Sequence, residues 1–182
     1  MYELFILSEI FDHDIDGYRL KYILENRVGH KRKVSYGSLY PQLGKLEKNG
    51  LIELIKEDNN PRSRKVAHIT AKGRERFFEL MMEPVPINGN LDFTYEFKFG
   101  SLRFLTTEQQ IQILNEYAEF QKNTIEHNQQ VAKEMHNYNF MSESDKKDTQ
   151  RVTGLRIAQS RAGLDWANKI INEVSNDAKR TK

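Results

Sequence analysis

Two short β-prone runs, Leu51–Ile55 and Lys65–Thr70, flank a break that neither a strand nor a helix can cross. The break, Asn59-Asn60-Pro61-Arg62-Ser63, is dense in turn formers. The second run alternates, with Val66, His68 and Thr70 set against Ala67 and Ile69. That pattern predicts a β-hairpin. A two-stranded hairpin is not stable alone, so this one must pack on other elements. The neighbouring sequence offers only helices.

Residues 3–11 place Leu4, Phe5, Leu7, Ile10 and Phe11 at spacings that suit one apolar helical face. Asp16 can cap a second helix carrying Leu20, Ile23 and Leu24, and Gly29 sits where a left-handed residue closes a helix. Ser35 can cap a third, with Leu39, Leu43 and Leu46 on one stripe and Asn49-Gly50 at its end. Pro41 falls inside this helix and predicts a kink or a tightened first turn. Ala71–Met82 reads as a fourth helix bearing Phe77, Phe78, Leu80 and Met81. Three helices, a strand, a basic turn, a strand and a helix make a winged helix-turn-helix.

Charge singles out the same region. Residues 27–76 hold thirteen Lys/Arg against five Asp/Glu, whereas residues 83–182 hold thirteen against fourteen. A basic stretch beside a balanced one suggests a surface for a polyanion in the first half alone. The third helix is the recognition candidate. Its stripe is inward, leaving Tyr36, Ser38, Tyr40, Gln42 and Lys45, with Ser35 at its start, for duplex DNA. Arg62, Arg64 and Lys65 cluster at the hairpin tip, and Lys31, Arg32 and Lys33 precede the third helix; both clusters suit phosphates. The competing reading is an amphipathic helix beside solvated charge.

Pro84 to Asn90, with two prolines and Gly89, predicts a linker between a DNA-binding domain at 1–83 and a helical dimerisation domain at 91–182. Leu91, Phe93, Tyr95, Phe97 and Phe99 alternate with period two, which is a strand pattern, but a lone strand would have no partner before the long helices, so the segment is expected to be a helix. Thr106 and Gln109 form a capping box for a helix reaching about Tyr138. Its seam is Ile111, Leu114, Ala118, Ile125, Ala132 and Met135, interrupted by Gln121 and Asn128. Ser142 and Asp145 open the last helix, which carries Val152, Leu155, Ile157, Ala162, Leu164, Trp166, Ile170, Ile171 and Val174. These side chains span about 220° of arc, against about 100° for a helix resting on one neighbour. The excess calls for a second covering surface, either the winged domain or a second chain; two helices alone cannot enclose so wide a stripe, so a second chain, hence a homodimer, is expected.

Other function classes find little support. There is no cysteine, which excludes disulfides and thiol chemistry and fits a reducing cytoplasm. The start does not read as a signal peptide, and no apolar run is long enough for a membrane span. No nucleophile–base pair, phosphate loop or metal-ligand spacing is present, so no enzyme, cofactor or metal is expected; His127 and His136 are out of helical phase.

Gly17-Tyr18-x-Leu20, then Ser35-Tyr36-Gly37-Ser38-Leu39-Tyr40-Pro41-Gln42-Leu43-x-x-Leu46-Glu47-x-x-Gly50-Leu51-Ile52, then Arg64-Lys65 and Ile69-Thr70-x-x-Gly73, resembles the PadR-like regulators. The resemblance is strong over 1–80 and looser near Asp92–Thr106 and Arg161–Val174. It implies a homodimeric winged-helix repressor on a partly palindromic operator, with Tyr18, Ser38, Tyr40 and the Arg64-Lys65 wing touching DNA. It also implies helix over 91–105. The chain departs from the family pattern at Asp16, where His is frequent, and at Val66-Ala67-His68, where aromatics are. Relatives of this kind bind small apolar effectors near the junction, which implies Phe93, Tyr95, Phe97 and Trp166 as effector residues; dimer-interface core is the competing reading. An activator of the same fold, or a winged helix that binds protein, are the functional alternatives.

Overall fold

The computed structural model describes residues 1–29, 36–56 and 65–180, without the side chains of Tyr36 and Arg180. Two compact units result, Met1–Arg103 and Phe104–Lys182.

The first unit holds α1 (Tyr2–Glu9), β1 (Ile15–Asp16), α2 (Gly17–Val28), α3 (Tyr36–Lys48), β2 (Ile52–Lys56), β3 (Lys65–Ile69), α4 (Ala71–Met82) and α5 (Leu91–Phe99). Helix α1 buries Leu4, Phe5, Ile6, Leu7 and Ser8 in succession, so it is enclosed all round instead of on the single predicted face. The Asp16 carboxylate accepts from the Tyr18 and Arg19 amides at 2.8 and 2.9 Å, which starts α2 as expected. Gly29 and Gly50, with φ of 57° and 71°, close α2 and α3 in a region that side chains avoid. Thr70 caps α4 by accepting from the Gly73 amide at 3.0 Å, and its hydroxyl donates to the Gly50 carbonyl at 2.8 Å.

The hairpin forms in the register Ile52↔Ile69 to Lys56↔Lys65. It is not two-stranded, however. β1 adds on the far edge of β3, pairing Ile15↔Ala67 and Asp16↔Val66, for an order β1-β3-β2. The His68 ring reinforces that edge through Nδ1, 2.8 Å from Asp14 Oδ2. This tie to the helical layer is how the wing meets its need for a partner.

Leu91–Phe99 is a helix, with Leu91, Phe93, Tyr95, Phe97 and Lys98 all buried. The sequence division gave α5 to the C-terminal domain; in the structure it belongs to the first unit, where Phe97 packs on Phe5 with ring centroids 5.1 Å apart. Phe11 packs on Phe77 at 4.6 Å and lies under the Arg74 guanidinium. Arg76 on α4 joins Glu3, Glu79 and Glu83 at 2.9, 2.9 and 2.7 Å.

The second unit is a hairpin of α6 (Thr107–His136) and α7 (Glu143–Arg180). Both halves of the Thr106–Gln109 capping box are present, and Ser142 and Asp145 exchange the equivalent bonds at 3.3 and 3.2 Å. Leu114, Gln121 and Asn128 lie buried at heptad spacing. Opposite them α7 buries Thr153, Ser160 and Ala167, also seven apart. Gly163 allows close approach, since a Cβ there would stand 2.8 Å from the Tyr117 hydroxyl. Of the large apolar residues of α7, Ile157, Leu164, Ile170, Ile171 and Val174 are half-buried, while Val152, Leu155 and Trp166 are 48, 60 and 39% exposed. Among the described residues no helix is long and apolar enough to cross a membrane.

Candidate nucleic-acid interface

Helix α3 is anchored by Leu39, Leu43 and Leu46, all buried. It runs unbroken through Pro41. The ring removes the bond to the Gly37 carbonyl, within the first turns where the loss costs least, and Gly37 is exposed to water.

At about 100° per residue the remaining α3 side chains do not share one face. Ser38, Gln42 and Lys45 form a ridge on one side of the leucine stripe. Tyr40 lies on the other side, against the start of α2, where its ring approaches Gly17. Opposite the stripe run Gly37, Pro41, Gly44 and Lys48, all exposed. Gly44 has nothing within 4 Å of a Cβ. The outer surface of α3 is therefore a low floor between two polar rims.

Helix α2 adds aromatic surface. Tyr18 and Tyr22, one turn apart, are 59 and 63% exposed, and Tyr40 is 51% exposed. Tyr22 escaped the sequence reading; its signal was the four-residue spacing from Tyr18. Lys56 escaped as well. It stands directly across from Lys65, both exposed, in the last pair of the β2–β3 register. Like charges facing each other across strands cost stability, which a bound anion would offset. Lys31, Arg32, Lys33, Ser35, Arg62 and Arg64 lie outside the described residues, as does the Tyr36 side chain.

The aromatic set proposed for an effector divides between the units. Phe93, Tyr95 and Phe97 are buried in the first; Trp166 lies in the second, edge-on to Tyr117 at 6.2 Å. A cavity of about 130 Å³ in the first unit is lined by Leu4, Leu80, Pro84, Thr94 and Lys98 among others, and by none of Phe93, Tyr95 or Phe97. Lys98 is itself buried, its Nζ donating to the Glu83 carbonyl at 2.5 Å.

Residues 6–79 match the model of the transcriptional regulator PadR-like family. No curated protein matches the sequence at a significant level. Among solved structures the chain is similar to Bacillus subtilis PadR in complex with operator DNA, at 17% identity, TM-score 0.43, covering 94% of this chain and 96% of that one. It is also similar to a PadR-like transcriptional regulator from Bacillus cereus, at 22% identity, TM-score 0.41, covering 97 and 99%. A third is the virulence activator AphA of Vibrio cholerae, at 19% identity, TM-score 0.41, covering 97 and 99%. The sequence match and the motif residues fall in the same segment: over residues 6–79 this chain is similar to the transcriptional regulator PadR-like family.

Proposed function

We propose that the chain is a cytoplasmic homodimeric repressor that occupies a partly palindromic operator and is released by a small aromatic effector. One observation carries the DNA contact: α3 is pinned by a buried leucine stripe while its outer surface is open, with Tyr40 on one rim and Ser38, Gln42 and Lys45 on the other. Such a helix is suited to the major groove. Tyr18 and Tyr22 on α2 flank it. Lys56 and Lys65 on the wing, with Arg62, Arg64, Lys31, Arg32 and Lys33 from the sequence, supply phosphate contacts; Ser35 and Tyr36 open the helix. The division of labour is DNA binding at 1–83 and dimerisation through the helices after the 84–90 linker.

Support for a dimer comes from Val152 and Leu155, large apolar side chains that stay about half exposed, and from Trp166, partly exposed beside Tyr117. A symmetric pair sets two recognition helices about 34 Å apart, or a multiple of it. The effector assignment keeps Phe93, Tyr95 and Phe97 on the first unit and Trp166 on the second. Its support is the family resemblance, and Trp166, the sole tryptophan, gives it a fluorescence signal.

Selecting genomic fragments with the purified chain tests the DNA contact. Replacing Arg64 and Lys65 together by Ala should then lower the log–log salt slope by about 2. An unchanged slope removes the wing from the interface. Repression is tested by deleting the gene, which should raise expression from the selected promoter; a fall makes the chain an activator. An aromatic acid that frees the duplex without altering Trp166 emission or the stability of a Phe93→Ala variant would refute the proposed effector residues.

A further inference from the structure

We propose that Gly17 is a positioning residue for DNA recognition: its lack of a side chain seats the Tyr40 ring across the start of α2. This inference rests on the DNA-binding reading of α3. A Cβ at residue 17 would stand 3.0 Å from the Tyr40 hydroxyl oxygen, 3.1 Å from Cζ and 3.2 Å from Cε1. The whole distal edge of the ring therefore lies over the glycine, nearer than a methyl group tolerates without movement.

Which partner would yield is set by how each is held. Gly17 is buried as the first residue of α2. Asp16, immediately before it, is fixed twice: its backbone pairs with Val66 in the sheet, and its carboxylate accepts from the Tyr18 and Arg19 amides. The start of α2 cannot retreat. Tyr40 is about half exposed, and the atoms that face Gly17 are the far end of its side chain. A methyl group at 17 therefore displaces the phenol, not the helix. The displaced atom is the hydroxyl, the one group on that side chain able to bond a phosphate oxygen or a base edge. Leu39 and Leu43 fix the α3 backbone independently, so the disturbance stays local.

Alanine also suits the first turn of a helix better than glycine and narrows the unfolded ensemble. Fold and recognition should thus respond in opposite directions, which a merely structural glycine would not do. The test uses Gly17→Ala in the native chain and in Tyr40→Ala, with a duplex selected from genomic fragments by the native chain. In the native background Gly17→Ala should weaken binding three- to ten-fold, about one hydrogen bond, at an unchanged or raised melting temperature. In Tyr40→Ala it should change affinity by less than about two-fold, because the ring it displaces is absent. Native affinity for Gly17→Ala, or an equal loss in both backgrounds, overturns the proposal. If Gly17→Ala lowers the melting temperature, the Tyr40→Ala pair decides: equal affinities support positioning through Tyr40, unequal ones refute it. A native chain that selects no duplex defeats the DNA reading itself.

Discussion

Met1–Arg103 and Phe104–Lys182 bury different kinds of side chain. The first unit encloses Phe5, Phe77, Phe97, Leu7, Ile10 and Met81, which are large and apolar. In the second, the buried positions described include Ile113, Leu114 and Ala167 beside Gln121, Asn128, Thr153 and Ser160. Its larger apolar residues on α7 are half-buried, as Ile157 and Leu164 are, or exposed, as Val152 and Leu155 are. A globular core gains most from burying large side chains, and small or polar seams gain little. The contrast teaches that the first unit draws its core from large apolar side chains, whereas the inner seam of the helical hairpin is built for close approach and leaves Val152 and Leu155 exposed.

The largest test of that contrast is Phe77→Ala. A fully enclosed aromatic should cost about 3–5 kcal/mol, measured by denaturant unfolding; a loss under about 1 kcal/mol would mean the first core is looser than described. Next is Leu155→Glu with Trp166→Glu. These side chains are partly exposed in one chain, so the monomer fold should persist while self-association weakens by at least about ten-fold, or 1.4 kcal/mol, in sedimentation equilibrium. Unchanged association would place the dimer contact elsewhere. Asn128→Leu should then stabilise the hairpin by about 1 kcal/mol. The Asn128 Nδ2 donates to the Thr124 carbonyl at 2.8 Å, but Oδ1 is buried without a hydrogen-bond partner. The same change should loosen the register of α6 against α7, read as faster amide exchange along the seam, since a polar seam residue fixes register.

Smallest is Glu9→Gln in the first unit. Burial pushes the Glu9 carboxyl above its ordinary range, with Arg27 at 2.7 Å, Arg103 and His13 pulling it back. A raised value in the folded chain means stability that is present while the group is protonated and lost as pH rises through that value. Glu9→Gln should therefore gain slightly on the native chain at neutral pH, and the gap should close as pH falls toward 4. A gap that widens on acidification would show that the Arg27 pair outweighs burial.

What was legible in the sequence was what neighbours within four residues decide. Asp16, the Thr106–Gln109 box and the Ser142–Asp145 box act on amides one turn away, so their spacing suffices. Leu91–Phe99 is a helix as expected, but against its period-two pattern, because a short helix enclosed on most sides has no polar face to set a 3.6-residue rhythm. β1 is two residues long and exists only because β3 has an open edge, which no local pattern records. The α7 seam of Thr153, Ser160 and Gly163 carries almost no hydropathy. In the interface, the residue types on α3 and, from 100° per residue, the placing of Tyr40 and Ser38 on opposite sides of the leucine stripe were readable, but not the approach of the Tyr40 ring to Gly17. Tyr22 and Lys56 became visible through an exposed face and a cross-strand register.

Asp16 belongs to two elements at once: its backbone completes the sheet edge at Val66, and its carboxylate closes the first turn of α2. Fraying at either end deprives the other of its partner. The wing's inner strand and the helix behind it should therefore open as a single exchange unit, with the amides of Tyr18, Arg19 and the β1–β3 pairing losing protection at the same rate.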